Sequence, residues 1–404
     1  MNRRLLPLST AGLLALAAPW AGAETSPYSV GAVETVMHDS NIFRTPQPVA
    51  DWVSVTGLLA SVDQRIGRDR VRLNAEVDSN RYRANSALNQ ASHQLGLTTD
   101  WQTVEHLSGQ IGFSDRAQAY LYAPDSASTA QAKNTLSTRQ GQASVNWGGV
   151  SELTLSASLG VLDRTYSAAA YQSSDQKRRT ADLGLRHAWG QEINAGVSVR
   201  RTRGSYPHLS GTGPDDFSRS DVTVGVVWTP ASGSTFDGSV GRGAETHSVS
   251  TTRSYHVWTS DVNWRWLVSG KSALTFSLKR DTDTGSVDFG FAGANIASND
   301  TRVRTRLNLG LSHQLSGKVR LNAGLGLSRR ELQTDLVSVG DIHLVGGDLV
   351  RSINLGMDWQ ASRTLSFGCA ASREVRTAHG QALTVTYGYD GTVLSCTGQW
   401  VLGD

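Results

Sequence analysis

Val319-Arg320-Leu321-Asn322-Ala323-Gly324-Leu325-Gly326-Leu327-Ser328 is the stretch on which the fold turns. Apolar residues hold every odd position, and Arg, Asn, Gly or Ser every even one. A period of two sorts the two kinds onto opposite faces of an extended strand, whereas a helix would space apolar residues three and four apart. The same alternation returns at Val303 to Leu311, with Arg304, Arg306, Asn308 and Gly310 on the polar face. It returns again in Val71-Arg72-Leu73-Asn74-Ala75-Glu76-Val77, in Leu183-Gly184-Leu185 and in Ile193 to Val199. No comparable length carries helical spacing. The chain reads as all-β.

About 18 such segments (16–18) fit between residues 28–37 and 383–400. Their connections alternate in length. Gly67-Arg68, Gly190-Gln191, Ser269-Gly270, Ser316-Gly317 and Ala361-Ser362 are short; 120–133, 167–176, 207–216, 285–300 and 333–346 are long and rich in Ser, Asp, Gly and Ala. Short turns on one side and long loops on the other are what a transmembrane, antiparallel, up-and-down β-barrel of the Gram-negative outer membrane requires, the short turns being periplasmic. An even strand number returns both termini to the periplasm. No linker interrupts residues 24–404, which read as one barrel domain.

Residues 1–23 read as a signal peptide for export. A basic Asn2-Arg3-Arg4 head precedes an apolar stretch to about Trp20 and the small residues Ala21-Gly22-Ala23, the layout of a cleavable leader. Beyond residue 23 no apolar run approaches the ~20 residues a membrane helix needs, and a mean hydropathy of −0.29, hydrophilic for a membrane protein, fits a wet-centred barrel, where only alternate residues face lipid. A net charge of +3 on 404 residues gives no basic face for nucleic acid. The two cysteines, Cys369 and Cys396, are too few for a disulfide framework and lack metal-ligand spacing. They read either as one disulfide formed in an oxidising periplasm or as two thiols. No cofactor or metal is expected.

Tryptophan placement tests the membrane reading. Of 11 Trp, eight (Trp101, Trp147, Trp189, Trp228, Trp264, Trp266, Trp359 and Trp400) fall near strand ends just before a short turn or the C-terminus. An indole prefers the membrane–water boundary, so these eight predict the periplasmic aromatic girdle. A soluble sandwich gives no reason for one repeated height.

Arginine supplies all but five of the 38 basic residues, and Arg72, Arg186, Arg200, Arg302, Arg304, Arg306 and Arg320 lie on polar faces. A charge facing hydrocarbon costs a few kcal/mol at the midplane, so these seven are expected to line the lumen. There they would contact a passing polymer, or pair with Glu76, Asp78, Asp182, Asp261, Asp281 and Asp358 as a rigid, wet wall. His38-Asp39-Ser40-Asn41 is similar to an element of some lipid A deacylases, but no acidic group completes a triad. No enzymatic activity is expected.

Tyr28-Ser29-Val30, Asp39-Ser40-Asn41-Ile42-Phe43-Arg44, Asp51, Arg81 to Asn89, Trp101-Gln102 and Leu107-Ser108-Gly109 together resemble the exosortase-associated EpsL-type exopolysaccharide outer-membrane barrels, within the wider β-barrel porin group. Asp39, Asn41, Phe43 and Arg44 match the family motif D-[DS]-N-[IL]-[FY]-R, and the likeness extends over residues 27–116. Such barrels end in an aromatic residue, whereas here Val401 to Asp404 follow Trp400. The resemblance implies a role in exopolysaccharide biosynthesis or secretion, with the conduit for polymer export as the main expectation. A passive porin for small solutes and a scaffolding barrel of an export complex are the alternatives. Implied partners are outer-membrane lipid, exopolysaccharide, periplasmic polysaccharide-export proteins and the barrel-assembly machinery. The family carries no catalytic residues to transfer.

Overall fold

The computed structural model describes residues 26–121, 133–148, 153–210, 213–231, 233–249, 254–282, 301–336, 342–380 and 387–403. Its first nine strands are β1 (Tyr28–Asp39), β2 (Asp51–Ile66), β3 (Asp69–Tyr82), β4 (Gln90–Gln102), β5 (Leu107–Ala119), β6 (Thr135–Trp147), β7 (Leu153–Tyr166), β8 (Gln176–Trp189) and β9 (Ile193–Ser210). The next nine are β10 (Gly213–Ala231), β11 (Ser234–His247), β12 (Tyr255–Ser269), β13 (Ser272–Thr282), β14 (Thr301–Gln314), β15 (Val319–Leu336), β16 (Ile342–Gln360), β17 (Leu365–Gly380) and β18 (Tyr389–Leu402). Each strand pairs antiparallel with its sequence neighbours, and β1 also pairs with β18, from Val30↔Leu402 to Asp39↔Val393. That last pairing closes an 18-stranded barrel with no free edge, which satisfies every ladder group internally, as lipid demands. The only helical pieces described are 3₁₀ turns at Ser86–Leu88 and Ala169–Ser174.

The register fixes which side chains face out. Leu309, Leu325, Ile353 and Arg373 stand in one cross-strand row, and the alternation then places Leu311, Leu327 and Leu355 on the same outer wall. Leu159 is 65% exposed, Leu183 62% and Leu355 56%. A continuous apolar exterior of this kind is stable only against hydrocarbon. Alternate residues, among them Arg320, Asn322, Gly324 and Gly326, line the lumen.

Chain direction gives the barrel its two ends. Short turns close one end, where Gly67 adopts φ +64, the left-handed conformation that glycine takes without strain. All eight girdle tryptophans lie at this end on the outer wall, linked by register: Trp189 faces Ile193, Ile193 faces Trp228, Trp228 faces Phe236 and Phe236 faces Trp264. The ring of Trp101 lies over Gly109, where a Cβ would collide with it. Trp264 and Trp266 stack at 5.7 Å. Trp52 and Trp258 face outward near the opposite end, Trp52 against His38 at 4.9 Å.

Two expected loops give way to strand, and other expectations fall outside the described residues. Segments 207–216 and 333–346 are mostly strand rather than loop: β9 and β10 stay paired to Ser210↔Gly213, and β15 and β16 to Leu336↔Ile342. Their polar composition hid the strands because beyond the membrane neither face must be apolar. The last strand is described from Tyr389, and the expected start at 383 lies outside the described residues. The signal peptide at 1–23 and the 285–300 loop lie outside the described residues.

Candidate functional site

The candidate site is the inner wall, and it changes character along its length. Towards the short turns the inward residues are small and polar. A cavity of about 820 Å3 there is bordered by Arg320, Asn322, Asn354, Asp358, Thr397 and Gln399. Asn322 donates to Asp358 at 2.7 Å, and Arg320 to Gln314 at 3.3 Å. Amide, hydroxyl and paired charged groups alternate over this surface, so water and hydroxylated solutes meet many weak partners and no single strong one.

Towards the long loops the inner wall is crowded. The 40–50 loop folds inward, placing Ile42 and Phe43 in a buried cluster with Val53, Tyr82 and Leu88. Asn41, buried, holds this turn: its amide donates to the carbonyls of Thr45 (2.8 Å) and Asp390 (3.0 Å) and accepts from the Thr45 N–H (3.1 Å). Arg44 closes it on Asp39. Asp51 pins the next loop by accepting the N–H groups of Ala84 (2.8 Å) and Asn85 (2.9 Å). A second cluster unites Tyr120, Leu136, Tyr166 and Tyr171, and burial pushes the Tyr171 phenol above its usual range.

Charge is buried in the same region. Arg219 meets Asp221 at 2.7 Å and Asp281 at 3.1 Å. Glu245 accepts from Tyr255 (2.9 Å) and contacts His247 Nε2 (2.9 Å), whose Nδ1 contacts Asp215 (2.8 Å). Arg330 donates from Nε to Asp348 at 2.9 Å, and Arg376 lies 3.7 Å from the same carboxylate. Charges taken this far from water persist only when paired, as here.

The sequence-derived arginines distribute across both regions. Arg72, Arg186, Arg200, Arg304, Arg306 and Arg320 all carry inward parity. Arg72 pairs with Asp100, and Arg200 with Asp182 at 3.3 Å. Arg186 is exposed to the lumen and Arg304 is buried. Arg302 has inward register, while its side chain lies outside the described residues. Sequence reasoning missed Arg219, Arg330 and Arg376, since an inward Arg looks the same in sequence whether it meets water or a buried carboxylate. Cys369 and Cys396 face each other across β17 and β18 and are bonded. His38 turns outward to Trp52, while the Ser40 hydroxyl accepts the Thr392 N–H at 2.8 Å, so the two form no catalytic couple. Among the described residues no group of three or more His, Cys, Asp or Glu side chains is arranged to hold a metal ion.

Comparison with solved structures finds the same architecture. OccK1 (OpdK), an outer membrane protein of Pseudomonas aeruginosa, matches with a TM-score of 0.50 at 12% identity, covering 93% of this chain and 99% of its own. OccK2 (OpdF) of the same species matches with a TM-score of 0.50 at 12% identity, covering 93% and 98%. The fold is that of an outer-membrane barrel. No protein-family model matches the chain, and no curated relative matches it. The likeness is one of architecture alone.

Proposed function

We propose that this chain is an outer-membrane barrel serving exopolysaccharide biosynthesis and secretion, acting as the conduit through which the polymer leaves. The observation that carries the reading is the inward turn of Asp39 to Arg44. The residues by which the chain resembles the EpsL-type barrels are those that build a latch inside the long-loop end. A motif spent on the lumen rather than on the lipid face fits a protein whose work is done inside. Below the latch, the amide- and hydroxyl-rich wall suits a hydrated polysaccharide, which slides where contacts are weak and repeated and stalls where one is tight. Eighteen strands enclose enough width for an aqueous lumen. The short-turn end faces the periplasm, where export proteins would deliver the polymer.

Deletion of the gene tests the role: extracellular polymer is expected to fall, and normal polymer would remove the reading. Planar-bilayer conductance separates the alternatives. A channel blocked by added polysaccharide supports the conduit, and one indifferent to it supports a passive porin. The crowded long-loop end favours a second reading, a scaffolding barrel, for which negligible conductance and co-purification of export proteins are expected.

A further inference from the structure

The outer wall carries a groove of about 840 Å3 at the long-loop end, running across β5 to β11. Its lower border is apolar, with Phe113 and Val161 facing out. Its upper part is basic: Lys177, Arg179 and Arg203 line it and are exposed, and none of them makes an ion pair among the described residues. Arg179 and Arg203 stand directly opposite each other across β8 and β9. Like charges in that register repel, and the sheet gains nothing from them alone. Asp163 and Asp216 also border the groove, so its charge is mixed but basic in balance.

Height decides what the charges would meet. On β8 the outward residues climb from Trp189 in the girdle through Leu185 and Leu183 to Arg179. That climb is roughly 25 Å at the usual strand rise and tilt, the height of the apolar band of such barrels. Arg179 and Arg203 therefore sit where hydrocarbon gives way to headgroups, on the leaflet nearest the long loops. A facing pair of guanidiniums has a use there if an anion lies between them, since each presents a planar fork to phosphate oxygens. Ser205 and Ser218, next to Arg203, add hydroxyl donors.

We propose that this groove seats an anionic phospholipid of the outer leaflet, one whose phosphate carries no compensating cation, with that phosphate held between Arg179 and Arg203 with Lys177 beside them and an acyl chain lying over Val161 and Phe113. The occupant is a lipid rather than free phosphate because the groove joins a basic upper part to an apolar border in the order a phospholipid presents its own parts. The inference rests on the membrane-spanning fold and is independent of what passes through the lumen.

Native mass spectrometry of the full barrel, released from micelles doped with phosphatidylglycerol or phosphatidylcholine, reads the site directly. Phosphatidylglycerol is expected to be retained in preference. The Arg179→Gln/Arg203→Gln variant should lose about tenfold in that preference for each charge-assisted contact removed, with heat-modifiable gel migration confirming that it folds. Arg179→Lys/Arg203→Lys, which keeps the charge, should retain part of the preference and serves if the first variant does not fold. Three results would each overturn the proposal: equal retention of the two lipids; displacement of phosphatidylglycerol by equimolar inorganic phosphate; or an equal loss in Arg242→Gln/Arg351→Gln, whose arginines face outward away from the groove.

Discussion

Arg44 donates from one nitrogen, Nη1, to both carboxylate oxygens of Asp39, at 2.7 and 2.8 Å, across the turn that carries Ile42 and Phe43 into the lumen. Arg44 holds φ +50 to do so, a left-handed backbone that a non-glycine residue keeps only when its surroundings compensate. The pair is nearly enclosed, with 12% and 11% of the two side chains exposed. It ties the loop to the last residue of β1, and through Asn41 to β18.

Breaking that pair should free the loop while sparing the barrel. Asp39→Asn leaves the Arg44 charge without its partner, a loss of about 3–5 kcal/mol where a pair is fully buried and less here. Limited proteolysis in detergent is expected to cut within residues 40–50 faster in the variant, with the remaining strands protected. A conductance rise in the same variant would identify the loop as the gate. An unchanged cleavage rate would show that Ile42 and Phe43 hold the loop without the ion pair.

The alternation itself can be tested at neighbouring positions on β15. Leu325 faces out and Asn322 faces in. An Arg on the lipid face near the midplane costs about 2–4 kcal/mol, whereas lumen positions meet water. Leu325→Arg should therefore lower the urea midpoint of the detergent-folded barrel, and Asn322→Arg should leave it nearly unchanged. Equal effects would contradict the assignment of faces.

The Cys369–Cys396 bond joins positions 27 residues apart in sequence, across a strand pair that is also closed by backbone hydrogen bonding from Leu365↔Trp400 to Arg376↔Tyr389. Chain-entropy arguments put such a crosslink at about 3–4 kcal/mol against the unfolded state. The Cys369→Ser/Cys396→Ser barrel should still assemble, with a lower denaturation midpoint and no further response to reductant. A variant that failed to assemble would assign the bond a role in closing the β1–β18 seam.

The outer wall was legible in the sequence and the crowded end was not. A residue such as Leu325 must be apolar because lipid touches it, and that demand repeats at every second position, so strands and girdle can be read directly. At the long-loop end the demand lapses. The paired stretches 207–210, 213–216, 333–336 and 342–346 include Pro, Asp, Gly, Ser and His, which looks like loop composition. Partners across the barrel are likewise invisible: Arg219 and Asp281 lie 62 residues apart in sequence, and only the closed sheet sets them together. The groove at Arg179 and Arg203 was hidden for the opposite reason, since an exposed charge at a strand end passes for ordinary solvation.

The tyrosine cluster predicts an alkaline transition confined to the long-loop end. Tyr171 lies within the 3₁₀ turn Ala169–Ser174, its ring centroid 5.9 Å from that of Tyr120 and 6.3 Å from that of Tyr166. Burial raises its phenol above the usual value. An acid whose folded pKa exceeds its unfolded one, about 10 for tyrosine, stabilises the fold fully below the unfolded value and loses that contribution as pH rises towards the folded one. The cluster should hold through neutral and mildly alkaline pH and loosen above about 10. Tyrosinate absorbance is expected to show a late-titrating phenol in the wild type that is missing from Tyr171→Phe, while far-ultraviolet circular dichroism of the strands stays constant. Loss of strand signal together with that titration would mean that the cluster supports the whole barrel rather than its mouth.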